Sequence, residues 1–137
     1  MMNRDMKGLA HIGIYTDDIE KSMKFYTDIL GFDWMDKRDV PVEGGTMQLG
    51  FVSAGNLVIE LIQPVDTSVI KERKAGIVDH IAIEVEDIDD VIIKLKEKNL
   101  MFNSEEKKEN PYLFDGISNI FFDGPNGERL ELFQYNK

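Results

Sequence analysis

Cysteine is absent from this 137-residue chain, and histidine occurs only twice. Without cysteine there are no disulfides, no thiolate metal ligands and no thiol nucleophile. Positive charge is also scarce, with 16 Lys and Arg against 26 Asp and Glu and a net charge of -10. Nucleic acid and anionic membrane are therefore not expected as partners, because phosphate contacts need clustered basic residues. The basic residues are instead interleaved with acids, as in Lys71-Glu72-Arg73-Lys74 and Glu105-Glu106-Lys107-Lys108-Glu109. No apolar run approaches membrane-spanning length, and Met1 to Lys7 leads into no secretory h-region, so the expected compartment is the cytoplasm. What is present is globular in character: 42% hydrophobic residues, eight of them Phe. A single domain of this size buries roughly two-thirds of its unfolded surface and needs no covalent staple.

The two histidines stand at equivalent places in an internal repeat. His11-Ile12-Gly13-Ile14-Tyr15-Thr16-Asp17-Asp18-Ile19 matches His80-Ile81-Ala82-Ile83-Glu84-Val85-Glu86-Asp87-Ile88 at an offset of 69 residues. Farther on, Leu57-Val58-Ile59-Glu60-Leu61-Ile62-Gln63 matches Arg129-Leu130-Glu131-Leu132-Phe133-Gln134 at an offset of 71. A duplication of this kind divides the chain into modules of about 8–64 and about 77–136 within one domain.

Each module reads β-α-β-β-β. Alternation from His11 to Thr16 places Ile12 and Ile14 on one face of a strand and His11, Gly13 and Tyr15 on the other. Asp17 and Asp18 supply a helix cap, Ile19, Met23, Tyr26 and Leu30 follow at helical spacing, and Gly31 ends the helix. The second helix repeats this with Ile88, Val91, Ile92 and Leu95, its acids early and its lysines late, as the helix dipole favours. Glu43-Gly44-Gly45, Ala54-Gly55-Asn56, Phe114-Asp115-Gly116 and Pro125-Asn126-Gly127 separate the strands. The expected fold class is α+β: two tandem βαβββ modules whose half-barrel sheets curve around a cavity.

Four polar side chains are expected to face that cavity. His11 and His80 lie opposite the apolar faces of their strands, and Glu60 and Glu131 interrupt otherwise apolar strands. A carboxylate among such neighbours is costly unless paired, solvated or bound to a cation. Taken singly, each would be an ordinary strand residue. Their joint placement in a duplicated unit makes a mixed N/O donor set suited to a divalent transition metal, with positions left for water or substrate.

His11-Ile12-Gly13-Ile14, Phe25-Tyr26-Thr27-Asp28-Ile29-Leu30-Gly31-Phe32, Glu60, His80-Ile81-Ala82-Ile83 and Asp123-Gly124-Pro125-Asn126-Gly127 before Leu130-Glu131-Leu132 together resemble the vicinal oxygen chelate superfamily. Within it, the ligand set His11, Glu60, His80 and Glu131 is similar to that of glyoxalase I (lactoylglutathione lyase). The resemblance implies a lyase or isomerase converting a methylglyoxal–thiol hemithioacetal to an S-lactoyl thioester through an enediolate, the chemistry of methylglyoxal detoxification. It assigns proton transfer to Glu131, with Glu60 as its counterpart, although the repeat alone leaves those roles interchangeable. The short loops resemble compact bacterial members, so nickel or cobalt is favoured, with zinc or manganese as alternatives. Three-ligand members such as extradiol dioxygenases and fosfomycin-modifying enzymes fit less well. Methylmalonyl-CoA epimerases, which typically carry Gln where Glu60 stands, are one alternative. Non-catalytic, drug-sequestering members are another.

Two positions depart from the glutathione-using pattern. Tyr15 stands where an Arg is common, and Pro64 where an Asn is common. The resemblance therefore supports the reaction class more strongly than the thiol. Glu43 is a candidate second acid/base for an epimerase, against a plain reading as a solvated turn residue. Tyr15, Phe121 and Phe133 are candidates to line the cavity. The expected partners are a small-molecule substrate and a second copy of the chain, because open edge strands favour symmetric pairing into a homodimer.

Overall fold

A computed structural model describes residues 9–73, 76 and 78–137; the expected module starts, 8 and 77, fall outside them. Two four-stranded mixed sheets are observed, with strand orders β1-β4-β3-β2 and β5-β8-β7-β6. In the first, β1 (Ile12–Tyr15) runs parallel to β4 (Leu57–Gln63), and β2 (Asp33–Val42) and β3 (Gly45–Ala54) complete it antiparallel. The second repeats this with β5 (Ile81–Glu84) parallel to β8 (Arg129–Tyr135), followed outward by β7 (Ile117–Asp123) and β6 (Lys108–Asn110). A parallel neighbour needs a crossover, and in each half a helix provides it. The fold class expected from the repeat is the one observed.

Asp18 and Asp87 cap these helices, accepting hydrogen bonds from the backbone N–H of Lys21 and Asp90. The second helix is regular: α3 (Ile88–Glu97) buries Ile88 and Leu95 and ends at Asn99, whose φ of 66° is left-handed. The first is not. After α1 (Ile19–Lys24) the chain widens into a π-helical turn over Phe25–Ile29 before Gly31 takes up a φ of 77°. The expected face Ile19, Met23 and Tyr26 is buried, whereas Leu30 is only partly so. A single short helix, α2 (Ser68–Lys71), lies in the connection between the halves.

Strand alternation decides which side chains reach the core. Ile59 and Leu61 on β4 and Leu130 and Leu132 on β8 belong to one contiguous apolar cluster, with Ile19, Met23, Tyr26 and Ile88 from the helices. Glu60 and Glu131 are one residue out of phase and so project from the opposite sheet faces. Gly50 allows α1 to approach β3 closely, since a Cβ there would sit 2.6 Å from the Met23 sulfur.

A polar clasp joins the halves. The Tyr26 hydroxyl donates to Glu128 Oε2 at 2.9 Å, and Asn126 Nδ2 donates to the Ser22 hydroxyl at 2.9 Å. Thr16 and Ser22 share a further bond of 2.8 Å, so this buried chain of hydroxyls is satisfied. Gly124 leaves room for the Glu128 carboxylate, whose space a Cβ would occupy. Burial, with the Glu128 charge adding to it, pushes the Tyr26 hydroxyl well above its ordinary range, so it remains a donor. On the other side, Lys98 Nζ reaches the carbonyls of Asp28 and Ile29 at 2.8 and 3.3 Å, where a cation suits the end of a helix. Among the described residues, no helix is long and apolar enough to cross a membrane.

Candidate metal centre

The parallel registers bring each histidine to its glutamate. Gly13 pairs with Glu60 and Ala82 with Glu131, and each histidine lies two residues before that partner on the same strand face. His11 Nε2 is 3.3 Å from Glu60 Oε1, and His80 Nε2 is 3.1 Å from Glu131 Oε1. Across each sheet an aromatic ring completes the corner. Phe51, opposite Glu60, meets the His11 ring edge-on, and Phe121, opposite Glu131, meets the His80 ring in the same way.

The second corner carries a supporting network that the first lacks. His80 Nδ1 lies 2.7 Å from Asp79 Oδ2, which also accepts from Arg129 at 2.7 Å. Ala10 stands where Asp79 does, and Val58 where Arg129 does. Asn119 Nδ2 donates to Glu131 Oε2 at 2.6 Å, whereas Leu49, paired with Ile62, occupies the matching place diagonal to Glu60. Arg129 also stacks over Phe121, 3.9 Å from the ring centre. Glu131 is accordingly the more enclosed carboxylate, its side chain 6% exposed against 18% for Glu60. The hydrogen bond from His80, with Arg129 adding to it, holds the Asp79 carboxyl below its ordinary value.

This arrangement suits a cation. In the tautomer that donates Nδ1–H to Asp79, the His80 ring presents a lone pair at Nε2 to a carboxylate oxygen 3.1 Å away. Two acceptors at that distance repel unless a proton or a metal lies between them. Donors each about 2.1 Å from one ion subtend roughly 100° at such separations, an ordinary coordination angle. A carboxylate behind the distal ring nitrogen is also the usual support for a metal-binding histidine. Histidine and carboxylate donors fit nickel, cobalt, zinc or manganese.

The four expected ligands come together as two pairs, not as one quartet. Among the described residues, no group of three or more His, Cys, Asp or Glu is placed to hold a metal ion. Glu43 sits exposed in the β2–β3 turn. Tyr15 lies under the Arg73 guanidinium, 4.6 Å from it, on the His11 face. Phe133 packs with Phe114 and Tyr135 and, with the β3–β4 turn and β5, lines a groove of about 620 Å³. Asp79, Asn119 and Arg129 were not singled out by the repeat, because they have no counterparts in the first module. The one available signal was an acidic residue immediately before a candidate ligand.

Residues 10–121 match the description of the Glyoxalase/Bleomycin resistance protein/Dioxygenase superfamily, and the chain belongs to that family. The mitochondrial methylmalonyl-CoA epimerase of Bos taurus is 33% identical over 105 residues, 73% of this chain and 59% of that protein. The chain thus matches less than two-thirds of the length of this mammalian relative. A probable lactoylglutathione lyase of Synechocystis sp. is 33% identical over 130 residues, covering 92% of this chain and 94% of that one. Among solved structures, the trypanothione-dependent glyoxalase I of Leishmania major superposes with a TM-score of 0.72 at 25% identity, over 94% of this chain and 87% of that one.

Proposed function

We propose that the protein is a metal-dependent isomerase of the glyoxalase I type, its metal held by His11, Glu60, His80 and Glu131. The observation that carries this reading is the pair of matched His–Glu corners, each with its imidazole Nε2 turned to a carboxylate oxygen. Because the corners lie apart within one chain, the complete centre joins the His11–Glu60 corner of one copy to the His80–Glu131 corner of a second. A homodimer then holds two such centres by symmetry. Near-full-length similarity to a probable lactoylglutathione lyase supports the reading.

A divalent cation there supplies the positive charge that stabilises an enediolate at neutral pH. The protein's own part is proton movement. Glu131, oriented by Asn119, takes the proton from the carbon of a methylglyoxal–thiol hemithioacetal that bears the sulfur and returns it to the neighbouring carbon. With the hydroxyl proton passing from the oxygen of the first carbon to that of the second, this transfer gives the S-lactoyl thioester. Phe121 and Phe51 cover the two corners, limiting water around the carboxylates.

Epimerisation of an acyl-CoA thioester is the second reading, favoured by similarity to the bovine epimerase and by Tyr15 and Pro64 at positions where glutathione-using enzymes commonly carry Arg and Asn. It uses the same carbon acid chemistry. Elemental analysis combined with a methylglyoxal–glutathione assay across nickel, cobalt, zinc and manganese tests the primary reading. Turnover with at least one metal is expected. No turnover with any of them, together with epimerisation of methylmalonyl-CoA, replaces it with the second.

A further inference from the structure

The contacts behind the His80–Glu131 corner form a closed circuit. Phe121 pairs with Glu131 across the sheet and meets the His80 ring edge-on, with ring centres 5.3 Å apart. The same ring carries the Arg129 guanidinium, 3.9 Å from its centre. Arg129 donates to Asp79 Oδ2 at 2.7 Å, and that oxygen lies 2.7 Å from His80 Nδ1. Each of Phe121, Arg129, Asp79 and His80 therefore touches two others, so none can turn without disturbing the rest.

At the first corner the circuit is broken. Phe51 meets the His11 ring, but Ala10 and Val58 stand where Asp79 and Arg129 do. An alanine offers no side-chain acceptor to the far nitrogen of the His11 ring, and the His11 side chain is 44% exposed against 35% for His80. The difference bears on ligation. A neutral imidazole has two tautomers, and only the one with its proton on Nδ1 presents a lone pair at Nε2. Asp79 selects that tautomer for His80, whereas His11 divides its population between the two. A site is weakened in proportion to the fraction of molecules not in the competent state.

We propose that the corners fill in order: the His80–Glu131 corner takes a divalent cation first, and His11 and Glu60 close on it afterwards. Asp79, held by Arg129, is the positioning residue that sets this order. The inference rests on the reading of the two corners as halves of one metal centre, and adds a regulation of that centre. A corner that already holds a cation attracts the carboxylate of the other. Metal binding and the joining of the corners are then reciprocally linked, so completion of the centre follows the supply of metal.

The test is zinc competition against a chromophoric chelator, with full-length variants that each keep one corner. His11→Ala/Glu60→Ala keeps the second, and His80→Ala/Glu131→Ala keeps the first. The second corner alone should bind zinc at least tenfold more tightly than the first alone. Adding Asp79→Ala to the second-corner variant should weaken it about 10–100-fold, the usual effect of losing a group behind a metal ligand. Asp79→Asn, which retains an acceptor, should fall between. Adding Ala10→Asp and Val58→Arg to the first-corner variant should strengthen it. Equal affinities of the two corners overturn the proposal, as does unchanged affinity in Asp79→Ala. A lower unfolding midpoint of metal-free Asp79→Ala with zinc affinity unchanged also overturns it, by assigning Asp79 to structure alone. Absence of zinc binding by the unsubstituted chain overturns the metal-centre reading itself, so the two failures are read separately.

Discussion

Asn119 donates a hydrogen bond of 2.6 Å to Glu131, while the matching place diagonal to Glu60 is filled by Leu49. One carboxylate of the repeated pair has an oxygen fixed by a side-chain donor, and the other faces only its histidine. A base works best when its reactive geometry is fixed before the substrate arrives. Glu131→Gln retains an oxygen ligand but removes basicity, so turnover should fall at least ~100-fold with metal retained. Glu60→Gln should cost less. Equal losses in the two variants would show that the asymmetry has no part in proton transfer.

Asn119→Leu should act on Glu131 without removing it. Rotational freedom restored to the carboxylate lowers kcat, and KM should hardly change, because Asn119 orients a group and does not carry the substrate. A merely structural role would instead appear as lost stability at unchanged kcat.

Metal content provides a test that needs no substrate. Purified protein should hold one divalent ion per chain, and His11→Ala and His80→Ala should each abolish tight binding. Metal retained at full stoichiometry in the double variant would remove these residues from the centre.

Mixing the two variants reveals whether the centre is shared. A dimer of one His11→Ala chain and one His80→Ala chain places both lesions in one centre and leaves the other intact. Random exchange of equal amounts should therefore restore about one-quarter of the wild-type metal and activity if corners from different chains combine. No recovery after exchange, verified by mass under native conditions, would place each centre within a single chain.

Tyr26→Phe examines the clasp between the halves. The variant loses the hydrogen bond to Glu128, leaving a part-buried carboxylate with one donor fewer. A cost of about 1–2 kcal/mol is expected, and the midpoint of thermal unfolding should drop by roughly 3–6 °C. An unchanged midpoint would mean that water replaces the hydroxyl at no cost.

Element order and the strand faces that carry His11, Glu60, His80 and Glu131 were legible because each depends on short-range alternation around a repeated pattern. The registers that bring each histidine to one glutamate were not. Ile12 and Ile14 face one way, which sends His11 the other, and the same holds for Ile81, Ile83 and His80. The separation of the corners was not legible. It follows from how the halves dock, through contacts such as Tyr26 to Glu128, which lie 102 residues apart and occur once. Asp79, Asn119 and Arg129 escaped for a related reason: a search for repeated chemistry passes over residues that only one copy possesses. The π-helical turn escaped because Ile19, Met23 and Tyr26 fit ordinary helical spacing, and the widening begins within that run.

That turn records how the two halves diverged. The capping residues Asp18 and Asp87 are 69 positions apart, yet the left-handed residues ending the two helices, Gly31 and Asn99, are only 68 apart. The first helix thus contains one residue more than the second between equivalent landmarks, and Phe25–Ile29 is where the extra residue is accommodated. An insertion that would have rotated everything beyond it by about 100° in a regular helix has been absorbed within one turn, with both ends in place. The surplus residue also distinguishes the two copies: one helix length differs while the parallel pairing of β1 with β4 and of β5 with β8 is the same in both.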